Sequence, residues 1–186
     1  ATGTADLALA AARQHPQIHV TGLDFAREMM HVGVAKCRRL GLQDRVRFIQ
    51  GDAMRLPFPD RAFDAAACAF GIRNMPDRAG ALREMVRVVR PGGQVLILEM
   101  HFPRHPFLQP VYDLYLNHLL PRAARWFSPN PAAYRYLGDS ILHFPSPAAF
   151  SDLMTEAGLV RIDRHSLTFG ICCLYLGWKP DGPSGM

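Results

Sequence analysis

The chain has 186 residues, 49% hydrophobic and 20% charged, enough for one domain with a sizeable core and too few for two independent ones. These fractions exclude a collagen-like or unfolded chain, and no apolar run reaches the roughly 18 residues that a membrane-spanning helix needs. The net charge of +5 fits a solvated basic face, or attraction to an anionic substrate or membrane surface; no dense Lys/Arg run interleaved with aromatics points to nucleic acid.

Ala1-Thr-Gly-Thr-Ala-Asp6 is small and turn-prone and runs into Leu7-Ala-Leu-Ala-Ala-Ala, a strong helix former. A glycine turn opening a helix lets a ligand come close to backbone amides. Ile18 to Asp24 then reads as a strand ending in an acid, and Asp24 follows Gly3 by 21 positions. That matches the ~20-residue gap at which a carboxylate takes the ribose hydroxyls of a nucleotide lying over the first turn. Asp24 is equally suited to capping the helix that starts at Phe25, and the two roles are compatible. A helix is expected over 25–40, with Phe25, Met29, Met30, Val34 and Cys37 on one face and both methionines in the core.

Gly41 to Arg45 stops that helix, and Val46 to Gln50 is the next strand, with Gly51-Asp52-Ala53 at its end. Asp52 is an acceptor placed for an exocyclic amine such as adenine N6, or a loop acid in water. Phe63 to Phe70 is apolar except for Asp64 and has turn chemistry on both sides, the pattern of a strand covered on both faces of a parallel sheet. Ligands of open α/β sheets bind beyond the carboxyl ends of the strands. Ala69 to Asn74 therefore falls where a site is expected, with Arg73 supplying a charge and Asn74 an amide.

A helix over 77–90 puts Ala81, Leu82, Met85, Val86 and Val89 on one face, and Pro91-Gly92-Gly93 ends it. Gln94 to Met100 is a further buried strand. Strand, helix, strand without a hairpin predicts crossovers and a parallel sheet. Over 101–146 the prolines break the pattern into short aromatic-rich helices, read as an insertion or lid over the site or as packing onto the sheet. Its apolar content suits a greasy substrate or a membrane surface. A helix over 147–157 is followed by two strands joined through Thr168-Phe169-Gly170, the one clear hairpin, and by a tail, 181–186, expected to be disordered. The four cysteines lack paired spacing and the eight histidines lack an obvious carboxylate partner, so buried free thiols and no metal are expected. With no secretory signal opening the chain, a cytoplasmic location follows, and the inner face of the membrane is the surface it is expected to touch.

Ala1-Thr-Gly-Thr-Ala-Asp-Leu-Ala, Gly22-Leu-Asp-Phe, Gly51-Asp-Ala-Met-Arg-Leu-Pro-Phe-Pro-Asp, Phe70-Gly-Ile-Arg-Asn, the run from Ala81 to Pro91-Gly-Gly, and Tyr134-Arg-Tyr-Leu resemble the ubiquinone/menaquinone biosynthesis C-methyltransferases. The likeness spans nearly the whole chain. It implies an α/β fold, a Rossmann-like class I methyltransferase sheet with a C-terminal antiparallel hairpin, in one domain over 1–180. It also implies S-adenosylmethionine as methyl donor and a polyprenylated quinol as acceptor, and it leaves a homodimer open. Carried over by position, Gly3 and Thr4 lie along the methionine part, Asp24 holds the ribose with Phe25 among the donor-binding residues, and Asp52 and Ala53 meet the adenine. Ala69 and Phe70 border the donor, with Ala69 offering only backbone where the family often has serine. Arg73 is expected to stabilise the acceptor oxygen, or to serve as a structural ion-pair partner, while Asn74 and Tyr134 orient the ring.

The family places a helix and a central strand before the Gly3 loop. Without them the strands ending at Asp24 and Ala69 are expected to lack a neighbour between them, leaving two unpaired edges, as in a truncated chain or one completed by another molecule. Three other functions compete. A related enzyme would methylate another aromatic or lipid acceptor. A dinucleotide-dependent oxidoreductase shares the Gly3 turn and Asp24 but is disfavoured by the Asp52 loop and the hairpin, and a non-catalytic subunit would keep only the fold.

Overall fold

A computed structural model describes residues 1–102, 112, 114 and 131–182, the side chains of 131–135 excepted. Most of the expected insertion, the Tyr134 side chain and the end of the tail lie outside the described residues. The elements are α1 (Asp6–Gln14), β1 (Val20–Asp24), α2 (Arg27–Arg39), β2 (Val46–Gln50), β3 (Phe63–Ala69), a 3-10 turn (Ile72–Asn74), α3 (Arg78–Val88), β4 (Val89–Met100), α4 (Pro131–Leu142), α5 (Pro147–Glu156), β5 (Val160–Leu167) and β6 (Cys172–Trp178).

Local chemistry sets several boundaries. Asp77 caps α3 by accepting from Gly80 N at 2.7 Å, and Ser146 caps α5 from Ala149 N at 3.2 Å with Pro147 in its first turn. Lys179 closes the other end of α3: its Nζ donates to the carbonyls of Val86 and Val89, both at 2.8 Å. Helix α3 passes into β4 at Val89, so Pro91-Gly92-Gly93 lies in the strand rather than between the two elements.

β1 and β2 pair in parallel from Val20↔Val46 to Asp24↔Gln50. A second sheet has the order β3-β4-β6-β5, parallel between β3 and β4 and antiparallel from β4 to β6 to β5, as the C-terminal hairpin predicts. The expected gap between the strands ending at Asp24 and Ala69 is present: among the described residues no strand joins β1 to β3. Among the described residues, the first of the chain reach across it. Ala1 N and Thr2 N both donate to Leu23 O at 2.8 Å, and a Cβ on Gly71 would overlap that of Ala1. Gly22 permits this crossing, since a Cβ there would stand 2.8 Å from Thr2 Oγ1.

Two expectations are corrected by this arrangement. β3 is not covered on both faces: Asp64, Ala65 and Ala67 are exposed and within the strand only Cys68 is buried, because its edge toward β1 carries no partner. The inner face of α2 is Met30, Gly33 and Cys37, whereas Phe25 (79% exposed) and Met29 (45%) face solvent. A helix turns 100° per residue, so Met29 and Met30 cannot share one narrow stripe.

Each sheet carries its own core. Ala5, Ala8, Leu9 and Ala12 of the first helix region pack with Cys37, Leu42 and Val46. The larger cluster joins Cys68, Ile72, Leu82, Met85, Val95, Ile97, Phe150, Met154 and Tyr175, and from the face predicted for helix 77–90 it contains Leu82, Met85, Val86 and Val89. All four thiols are free, three buried and Cys172 half-buried, and burial pushes each of them up. No helix among the described residues is long and apolar enough to cross a membrane.

Candidate active site

The carboxyl ends of β1, β2 and β3 bring the candidate residues together. Gly3 has φ +54°, a left-handed conformation that glycine adopts without steric cost, and this aims its N–H at Asp24 Oδ2, 2.6 Å away. Asp24 Oδ1 accepts from Ala26 N at 2.9 Å. That bond closes a turn ahead of α2, so Asp24 does not cap the helix itself, whose N-cap is Ala26. A carboxylate offers about four lone pairs; two are used here, and the residue is half-buried rather than sealed. Asp24 is thereby fixed in place and still able to accept two hydroxyls.

Gly51 N donates to Asp24 O at 3.0 Å, so β2 ends beside β1 and the loop holding Asp52 and Ala53 begins there. Asp52 is exposed, and its Oδ1 accepts from Met54 N at 2.8 Å; Oδ2 is left for another donor. Thr4 faces elsewhere: its hydroxyl donates to Asp6 Oδ2 at 2.6 Å while Lys36 holds Asp6 Oδ1 at 2.8 Å. These two partners keep the Asp6 carboxyl below the usual range, Lys36 first. Only the backbone of Thr4 is therefore free to line the loop. Phe25 and Met29 are both exposed, and the Met29 Cε, 3.8 Å from where a Gly3 Cβ would be, supplies an apolar edge to the loop.

Across the gap, Ala69 ends β3 half-buried. Phe70 follows with φ +56° and is 42% exposed, held by its N–H to Leu98 O at 2.8 Å. The contact of Gly71 with Ala1 ties this end to the Gly3 loop. The described contacts thus join Gly3, Asp24 and the Asp52 loop directly, and Phe70 through Ala1.

Arg73 forms the ion pair named as one of its two roles. Its Nη1 is 2.6 Å from Glu99 Oε1, with the arginine side chain 10% exposed and the glutamate 0%. The same Nη1 donates to Phe70 O at 2.8 Å. Asn74 is exposed, and its Oδ1 accepts from the Tyr136 hydroxyl at 3.1 Å. Tyr134 is in α4 on the same Tyr-Arg-Tyr segment, but the tyrosine that the described residues bring to Asn74 is Tyr136.

Three polar residues escaped the sequence reading. Glu99 and His101 are buried at the end of β4, 0% and 2% exposed, and Tyr175 on β6 is 0% exposed. The Tyr175 hydroxyl and His101 Nε2 are 2.6 Å apart. Burial pushes the Tyr175 phenol well above its ordinary value, and the Cys173 thiol adds to the shift. The available signal was a charge, Glu99, inside an otherwise apolar strand, since such a group is buried only when paired.

A model of the ubiE/COQ5 methyltransferase family matches residues 1–179. The demethylmenaquinone methyltransferase of Deinococcus radiodurans is 41% identical over 179 residues, covering 96% of this chain and 73% of that protein. That of Thermus thermophilus is 42% identical over 180 residues, covering 97% and 80%. The ubiquinone/menaquinone biosynthesis C-methyltransferase UbiE of a Bradyrhizobium species is 39% identical over 180 residues, covering 96% and 71%. Among solved structures, the [4+2]-cyclase SpnF superposes with TM-score 0.70 at 20% identity, over 97% of this chain and 73% of that one. A putative methyltransferase from Bacillus halodurans gives 0.69 at 20% identity, over 97% and 90%. These two show the fold alone, whereas the family match and the close relatives show more: the chain belongs to the ubiE/COQ5 methyltransferase family and is an S-adenosylmethionine-dependent methyltransferase.

Proposed function

We propose that the protein methylates a ring carbon of a polyprenylated quinol, in menaquinone or ubiquinone biosynthesis, with the donor held at the ends of β1 and β2 and the acceptor beside β3. The observation that carries this reading is the Asp24 carboxylate, fixed by two amides with two lone pairs to spare, next to the left-handed Gly3 and the open Oδ2 of Asp52. Asp24 takes the ribose hydroxyls and Asp52 the adenine amine. Gly3 and the Thr4 backbone follow the methionine part, and Phe25, Ala53, Ala69 and Phe70 border the base and the sulfonium. Bound there, S-adenosylmethionine supplies an electrophilic methyl group.

The rest falls to residues on the acceptor side. An ionised quinol hydroxyl puts electron density on the adjacent ring carbon, which would take the methyl as its bond to sulfur breaks, leaving a neutral thioether; the ring carbon then gives its proton to water and the ring regains aromaticity. Positioning provides most of the rate in such a displacement. Arg73 stabilises the phenolate oxygen as charge develops, and Asn74 and Tyr134 orient the ring, with Tyr136 holding the Asn74 amide. A greasy acceptor is met at a membrane surface. Phe169, 86% exposed, and the net charge of +5 support peripheral contact with an anionic bilayer.

The test is to incubate the purified protein with isotopically methyl-labelled S-adenosylmethionine and a short-chain demethylated quinol kept reduced. The expected product carries the label on a ring carbon. Label on an oxygen, or on other aromatic acceptors but never on the quinol, would contradict the assignment.

A further inference from the structure

We infer that Glu99 is a positioning residue for methyl transfer: it sets the place and orientation of the Arg73 guanidinium against the acceptor oxygen. The inference rests on the reading of Arg73 given above and adds a residue to it. Glu99 is 0% exposed, and two of the three hydrogen bonds its carboxylate accepts come from Arg73. Oε1 takes Arg73 Nη1 at 2.6 Å and Met100 N at 2.9 Å, and Oε2 takes the Arg73 main-chain N at 3.2 Å. One side chain thus grips Arg73 at both its backbone and its guanidinium.

The grip extends into the loop. Arg73 Nη1 also binds Phe70 O, the Phe70 amide is tied to Leu98 O, and Arg78 Nη2 donates to Arg73 O at 3.0 Å. The segment from Phe70 to Arg73 is therefore wired to Leu98 and Glu99 at the end of β4. Nη1 serves two acceptors, while among the described residues Nε is buried without a partner and Nη2 makes no hydrogen bond, which leaves Nη2 available to an oxyanion. A rigid, charge-assisted anchor of this kind gives a guanidinium the fixed orientation that recognition of an oxyanion requires.

The experiment is a double-mutant cycle with two readouts. Glu99→Asp keeps the charge but withdraws the carboxylate by one methylene, and Glu99→Gln keeps the length but removes the charge; either suffices if the other fails to fold. The first readout is kcat with a short-chain demethylated quinol, and the second is the apparent pKa of a bound chromogenic phenol, 4-nitro-1-naphthol, followed by its phenolate absorbance without donor. Each single variant is expected to lower kcat by roughly 10- to 100-fold and to move the bound phenol's pKa. Both effects should vanish when the same change is made in Arg73→Ala. An equal loss on both backgrounds, or a loss in kcat with the phenol pKa unmoved in the single variants, would overturn the proposal while leaving Arg73 in place. Failure of Arg73→Ala itself to alter either readout would remove the Arg73 reading and this one together.

Discussion

Replacing Asp24 by Asn changes one heavy atom and addresses the proposed donor site directly. The wild-type carboxylate accepts from Gly3 N at 2.6 Å and Ala26 N at 2.9 Å and has two lone pairs left for the ribose hydroxyls. An asparagine keeps one acceptor oxygen and turns the other position into a donor, so either an inward amide or a hydroxyl meets N–H against a donor. Hydrogen bonds to a charged group are worth about 1.5–3 kcal/mol each. Losing one such bond and the charge behind the other weakens donor binding by about 2–3 kcal/mol, or roughly 30- to 150-fold in Kd. Isothermal titration of S-adenosylmethionine measures this, with circular dichroism confirming that the variant is folded. A folded variant that binds the donor within twofold of wild type would refute the assignment of Asp24 to the ribose.

Three further outcomes follow from the same contacts. Tyr136→Phe deletes the 3.1 Å bond to Asn74 and should lower kcat for the quinol a few-fold with donor affinity unchanged; a parallel fall in donor affinity would place Tyr136 on the other side of the site. Lys179→Met keeps the apolar stem but removes the donors to the Val86 and Val89 carbonyls, costing about 1–3 kcal/mol in urea unfolding; a change below 0.5 kcal/mol, on the order of one neutral hydrogen bond or less, would show that those carbonyls find water instead. The phenol of Tyr175 is raised by burial, so above a pH of about 10 the unfolded chain releases a proton that the folded one keeps. Stability should then fall with rising pH, by about 1.4 kcal/mol per unit from this group, and Tyr175→Phe should lose that share. An unchanged alkaline slope in the variant would contradict the assignment.

Much of the geometry at the ends of β1 and β2 was legible because it is a matter of spacing. The 21 positions from Gly3 to Asp24 place both at one sheet edge once a helix intervenes, and the structure joins them by a hydrogen bond. The hairpin through Thr168-Phe169-Gly170 and the inner face of α3 came from periodicity in the same way. Long-range pairing is what periodicity does not carry. β3 has the composition of a doubly covered strand and is left partly exposed, because burial depends on a neighbour that its own residues do not encode. The Arg73–Glu99 pair spans 26 positions and follows from the parallel register of β3 with β4. Tyr134 and Tyr136 share one motif but differ by about 200° around a helix, so the motif alone cannot decide which of them meets Asn74.

Ultraviolet photolabelling with tritiated S-adenosylmethionine, followed by peptide mapping of the labelled protein, tests without relying on turnover whether the donor binds where β1, β2 and β3 end. Label is expected in the segments holding Gly3, Asp24–Phe25, Asp52–Ala53 or Ala69–Phe70, suppressed by excess unlabelled donor. Suppressible label confined to a surface away from these loops, such as the α1–α2 groove lined by Arg13 and Arg39, would contradict it.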